Sequence, residues 1–163
     1  MTTKPANVCC PKFDPKTWDK KSIKWDKQMF ITESMTTFLH IPLFPPIGKI
    51  IGKLWKQAED AKASPALKDW LLLANDPTPF RTDYYMMTTK KVDGAKNTTL
   101  SGNFMTKVFD GPYSAVPKWM QEMNAYLKSK GKTAKNFYFY YTTCPKCAKV
   151  YGHNYVVLFA QIA

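Results

Sequence analysis

Apolar positions along the chain fall into two series of the same kind. The first opens on an extended run, Met29–Ile41, and continues in a stripe of helical spacing. Ile47, Ile50, Ile51, Leu54, Trp55 and Ala58 stand at i, i+3, i+4, i+7, i+8 and i+11, one face of a helix predicted from Ile47 to Lys62. Pro45 and Pro46 sit where a helix start tolerates proline, and Ala63-Ser64-Pro65 ends it. Extended runs follow at Trp70–Asp76 and Asp83–Val92, with Asp76-Pro77 and Asp93-Gly94 as turn signals. The second series repeats that order. It has an extended run at Leu100–Asp110, then a helix from Ser114 to Lys130 carrying Val116, Trp119, Met120, Met123 and Leu127, then extended runs at Asn136–Thr143 and Asn154–Ile162. Ser114 is the expected N-cap and Gly131 the expected stop. The prediction is an α+β fold: a tandem repeat of two strand–helix–strand–strand modules, about 28–93 and 99–163, related by a pseudo-twofold axis. The sheet is mostly antiparallel, with the helices on one face.

Residues 1–27 stand apart. Pro5, Pro11 and Pro15 oppose a regular element, while Phe13, Trp18 and Trp25 demand burial, so this stretch is expected as an ordered arm packed on the domain. At 163 residues, 45% hydrophobic, the chain suits one well-cored domain. No apolar run is long enough to span a bilayer, and the N-terminus carries no secretory pattern. A cytoplasmic protein with reduced cysteines and no membrane partner is therefore expected. The charge of +12 admits an anionic partner. Yet Arg81 is the sole arginine, and the lysines are spread from Lys4 to Lys149. That pattern favours a solvated surface over nucleic-acid binding, since base and phosphate readers lean on the guanidinium fork.

The candidate chemistry is aromatic first. Five consecutive rings, Phe137–Tyr141, alternate in an extended strand, sending Tyr138 and Tyr140 to the face opposite Phe137, Phe139 and Tyr141. Tyrosine joins stacking surface to a polar tip, and Tyr138 and Tyr140, with Tyr84 or Tyr85 from the other half, suit a ligand cleft. The alternative is a face closed by the N-terminal arm. Among carboxylates Glu33 is the candidate acid–base group, lying between Ile31 and Met35 on one side of a strand. Buried without a partner, it would have a raised pKa; reaching water or a lysine, it would be structural. Glu122 is expected to be solvated. Neither His40 nor His153 has an acid nearby in sequence to orient it. Cys144-Pro-Lys-Cys147 has zinc-ligand spacing, and Cys9 and Cys10 would complete a tetrahedral set if the arm folds back. A strand–strand loop holding free cysteines is the alternative. No other cofactor is implied.

The stretch from Leu100 to Tyr113, ending Asp110-Gly111-Pro112-Tyr113, followed by Trp119, Tyr126-Leu127 and Ser129-Lys130-Gly131, resembles the GyrI-like small-molecule-binding family. The layout from Cys-Cys-Pro and Phe-Asp-Pro to Thr-Thr-Cys-Pro-Lys-Cys and Asn-Tyr-Val-Val is closer still to a bacterial subgroup labelled hydrolases. The resemblance implies a tandem-module fold with a cleft between the modules for flat aromatic or amphipathic ligands, often cationic. Taken with the tyrosines above, the expected ligand-binding residues are Tyr84, Tyr85, Tyr138, Tyr140 and Trp119, and the resemblance implies, in some members, hydrolysis of reactive small molecules. Where many relatives place a glutamate after the second helix, this chain has Tyr138, which leaves Glu33 as the acid–base candidate and a non-catalytic sequestering module or a zinc-stabilised interaction domain as rival outcomes. These residues show no DNA-binding helix pair, so direct transcriptional regulation is not expected.

Overall fold

The computed structural model describes residues 12–66, 69–143 and 145–163. In chain order the elements are β1 (Ser22–Phe38), β2 (Ile41–Phe44), α1 (Ile47–Asp60), β3 (Leu72–Thr78), β4 (Arg81–Met87), β5 (Lys96–Asp110), α2 (Val116–Ser129), β6 (Ala134–Tyr141), α3 (Pro145–Tyr151) and β7 (Tyr155–Ile162). They divide into two compact units: Trp25–Gly102, and a second formed by the chain up to Lys24 together with Asn103–Ala163. The divisions fall inside the two longest strands, β1 and β5.

In the first unit the strands lie in the order β2-β1-β4-β3, each neighbouring pair antiparallel. Cross-strand pairing puts Ile31 beside Met86, Glu33 beside Tyr84 and Met35 beside Thr82, and α1 lies over this face through Ile50, Leu54 and Ala58. The buried line on α1 is narrower than the predicted stripe: Ile47 and Trp55 are exposed, Trp55 meeting Trp70 at 5.7 Å. Phe30, on the other face, is fully buried between Trp25 and Tyr85. A two-residue turn with positive φ at Leu39 and His40 folds the end of β1 back as β2, in a register that sets Phe38 opposite Ile41 and Thr37 opposite Pro42. Every residue of β2 is exposed. Asp76 and Pro77 lie within β3, so the β3–β4 turn falls at Pro79 and Phe80, three residues later than the sequence signal.

The second unit has the antiparallel order β5-β7-β6. In the first unit β1 pairs with β4 and β4 with β3, with β2 added on the outer side of β1; in the second β5 pairs with β7 and β7 with β6. α2 buries Trp119, Met123 and Leu127, and Trp119 stacks on Phe109 of β5 at 5.5 Å and 20°. Ser114 does not cap α2; it lies in a 3-10 turn, Tyr113–Ala115, that leads into the helix. Gly131, at φ 67°, follows the helix as expected. Gly111 has φ 151°, and a Cβ there would stand 3.3 Å from Trp119 Cζ2, so the turn into α2 needs glycine both for its backbone and for the ring beside it. The connection expected as a strand–strand loop contains α3. Pro145 opens it, Gly152 at φ 73° closes it, and Cys147 is buried on it.

Leu54 is fully buried at the centre of the α1 line. Leu54→Ala is expected to cost about 2–5 kcal/mol, measured as a shift of the thermal or denaturant midpoint. A cost below about 1 kcal/mol would show that α1 does not seal its unit as described.

Candidate functional site

The registers of the second unit decide which rings share a face. Tyr138 stands opposite Phe159, Tyr140 opposite Val157, and Thr106 opposite Phe159 on the other side. Phe104, Thr106, Val108, Tyr155, Val157, Phe159, Tyr138 and Tyr140 therefore point to one side, and Phe109, Phe139 and Tyr141 to the side covered by α2. The alternation expected of Phe137–Tyr141 is what the strand adopts. Phe139 and Tyr141 lie near-parallel at 6.2 Å, with Tyr113 edge-on to Tyr141 at 5.3 Å.

On the tyrosine face the N-terminal segment lies across the strands. Its attachment is polar: Thr106 donates its hydroxyl to the Trp18 carbonyl, the Thr106 amide donates to Lys21 O at 2.9 Å, and the Val108 amide donates to Asp19 Oδ1 at 3.1 Å. A short 3-10 turn at Pro15–Thr17, capped by Asp14, sets the spacing between two rings of this segment. Phe13 contacts Tyr140 at 6.3 Å and Tyr155 at 5.4 Å. Trp18 contacts Tyr140 at 6.5 Å and Phe159 at 5.4 Å. His153 lies flat on Tyr155, 4.9 Å away and 13° from parallel. Trp18, Tyr140, Phe13, Tyr155 and His153 thus form one continuous row of rings, each partly open to solvent. The row draws on three separated stretches of sequence, and only Tyr140 among its members was a predicted site residue.

The other predicted rings have different settings. Tyr138 shares the face but is closed over, and its hydroxyl accepts from Asn136 Nδ2 at 3.2 Å. Trp119 is buried beneath α2. Tyr84 is buried on the α1 face of the first unit, and loss of solvent, with Asp76 nearby, pushes its phenol up to about 12. Tyr85, half-buried on the opposite face, is likewise pushed up by burial and by Asp83. Both phenols are therefore neutral near pH 7.

Of the two settings expected for Glu33, the structure has the one paired with lysine and not the partnerless, raised carboxyl. Its side chain is 16% exposed and lies between Lys53 Nζ at 2.6 Å and Lys96 Nζ at 3.5 Å. The Lys53 hydrogen bond outweighs desolvation, and the carboxyl is held below its ordinary range. It is an ionised partner at neutral pH. Glu122 faces Lys118 one helical turn away at the surface.

Both histidines have acids that sequence proximity did not reveal. His40 Nδ1 is 3.4 Å from Asp76 Oδ2. His153 Nδ1 is 2.7 Å from Asp110 Oδ2, because the β5–β7 register sets Asp110 opposite Tyr155. Asp110 Oδ1 also accepts the Asn154 amide at 2.9 Å, and Asn154 Nδ2 donates to Gly111 O at 2.7 Å. Cys9, Cys10 and Cys144 lie outside the described residues. Among the described residues no group of three His, Cys, Asp or Glu side chains gathers as a metal site, and no helix is long and apolar enough to cross a membrane. Two shallow grooves of the first unit, one beside Met29 and Met87 and one beside Gln57 and Val92, contain none of the predicted site residues.

The sequence profile of a family described as bacterial hydrolase matches residues 1–162. No curated protein matches the chain. Among solved structures, the EcmrR C-terminal domain is similar over 90% of this chain and 98% of its own, at 8% identity and a TM-score of 0.66. A hydrolase from Listeria innocua covers 90% of this chain and 92% of its own, at 10% identity and a TM-score of 0.64. An uncharacterized conserved protein from the same organism covers 89% and 92%, at 9% identity and 0.62. At such identities the likeness establishes the fold, which is the GyrI-like one.

The Glu33 pairing has a pH signature. Its folded-state pKa is depressed, so the stabilisation is complete above the unfolded value, near 4.5, and is lost as pH falls through the folded value. Glu33→Gln is expected to lower stability at pH 7 by up to about 1 kcal/mol and to flatten part of the stability loss below about pH 4.5. Unfolding midpoints taken across that range check this. Identical acid profiles for variant and wild type would mean that the lysines exert no hold on the carboxylate.

Proposed function

The chain belongs to the bacterial hydrolase family, matched over nearly its whole length, and from that premise we propose that it binds a flat aromatic or amphipathic small molecule against the row Trp18–Tyr140–Phe13–Tyr155. The row itself supports this. Its centroid spacings, 5.4–6.5 Å, are those of favourable aromatic contact, so the rings are already held in place, and each keeps some surface open. A planar ligand lying on them removes apolar area from water without ordering new side chains, which is the condition under which stacking gives useful affinity. The phenol faces also attract a delocalised cation.

Hydrolysis is the extension suggested by the family, and Glu33 is its weaker support, since an ionised carboxylate held by two lysines is poorly placed to supply a proton. The specific observation in favour of a non-catalytic sequestering role is Tyr138, buried and hydrogen-bonded where the resembled family carries its acid.

Proflavine, a flat cationic dye, serves as the probe, with binding followed by its fluorescence. Tyr140→Ala removes one partly exposed ring from the centre of the row and is expected to weaken binding several-fold, corresponding to about 0.5–1.5 kcal/mol. Tyr85→Ala, a comparable ring outside the row, is the control. Equal affinities for wild type and Tyr140→Ala would remove the ring row from the ligand site.

A further inference from the structure

We propose that His153, oriented by Asp110, is a general base that activates water to hydrolyse an aromatic ester seated on the ring row. The proposal rests on the ligand-binding reading above and deepens it by naming the reacting group and the substrate class. Three observations carry it. The carboxylate of Asp110 accepts and does not donate when ionised, so its 2.7 Å contact with His153 Nδ1 calls for a proton on Nδ1, and in the neutral imidazole the lone pair is then on Nε2. The carboxylate is itself held, since Oδ1 accepts the Asn154 amide; the imidazole is therefore aimed from a fixed point. Finally, the His153 side chain is 52% exposed while its ring lies flat on Tyr155, so it is the open terminal member of the same row on which the ligand stacks.

That arrangement joins a stacking surface to a base with a free lone pair at its end. With an aryl ester on the row, a water molecule gives a proton to His153 Nε2 as its oxygen bonds to the acyl carbon. The bond from that carbon to the aryl oxygen then breaks, and the proton on Nε2 passes to the departing phenolate. The carboxylic acid and the phenol are the products, with no other reactant consumed. Asp110 is the positioning residue; it fixes the tautomer and stabilises the imidazolium formed in transit.

The first unit supplies an internal control. His40 is also exposed and also near an acid, Asp76, but at 3.4 Å and outside the ring row. A surface imidazole acting without a site would make the two histidines equivalent.

The test uses the full chain with 4-nitrophenyl acetate as substrate probe and proflavine as binding probe. The wild type should release 4-nitrophenol faster than buffer. His153→Ala should lose at least about 100-fold of the enzyme-dependent rate, and added imidazole should restore part of it. His153→Gln, which keeps a donor for Asp110 but no base, should fold normally and be equally slow. His40→Ala should retain both the wild-type rate and the wild-type affinity for proflavine. A wild type no faster than buffer, a His153→Gln rate equal to wild type, or equal losses in His40→Ala and His153→Ala would each overturn the proposal. If proflavine still binds in a Tyr140-dependent way when that happens, only the catalytic assignment falls; if proflavine does not bind, the ring-row reading falls with it.

Discussion

The requirement that β7 be covered on both faces governs the second unit. Val156 to Ala160 are five consecutive buried residues, so the strand has no solvent side. β5 and β6 satisfy its backbone, and α2 covers one face. Among the described residues no helix lies on the other face. It is covered by the segment carrying Phe13 and Trp18, which is tied down through Thr106 and Val108. Burying side chains of this size contributes about 1.5–3 kcal/mol each, so a three-stranded sheet with a bare apolar face would be costly. Two rings provide the cover, and both stay partly open to solvent.

The helices and the alternation of Phe137–Tyr141 were legible because both depend on near neighbours. Ile50, Leu54 and Ala58 recur at one helical interval, and no distant contact is needed to see it. Three features were not read correctly, for differing reasons. Ile23 and Trp25 alternate with Lys24 and Asp26, a period-2 signal that the neighbouring prolines obscured, so β1 starts seven residues earlier than Met29. α3 is seven residues long, too short for a stripe, and only Pro145 and Gly152 marked its ends. The pairing of His153 with Asp110 spans 43 residues; it follows from the β5–β7 register, which no local pattern encodes. Glu33 was ambiguous for the same reason, since its raised or lowered pKa turned on whether lysines 20 and 63 positions away would reach it.

Membership in a hydrolase family and an GyrI-like fold constrain the chemistry less than the arrangement of particular side chains does, because one fold hosts many functions. The residues that relatives are expected to use are here divided between roles. Trp119 and Tyr84 are core, Tyr138 is closed over, and Tyr140 remains accessible. The partly exposed rings beside Tyr140, those of Phe13, Trp18, Tyr155 and His153, come from the arm and from the stretch where β7 begins.

The β2 hairpin has a consequence for behaviour in concentrated solution. Phe38, Leu39, Ile41, Leu43 and Phe44 are all exposed there, at the outer strand of the first unit's sheet, which is a composition that invites strand-by-strand growth into aggregates. Thr37 sends its amide away from β2 to Phe80 O, so its partner position, Pro42, is one whose amide would point outward, and proline has none to offer. A neighbouring chain approaching this edge finds a gap in the donor ladder at its middle, which lets the tip keep its apolar side chains without also presenting a complete template for self-propagating sheet.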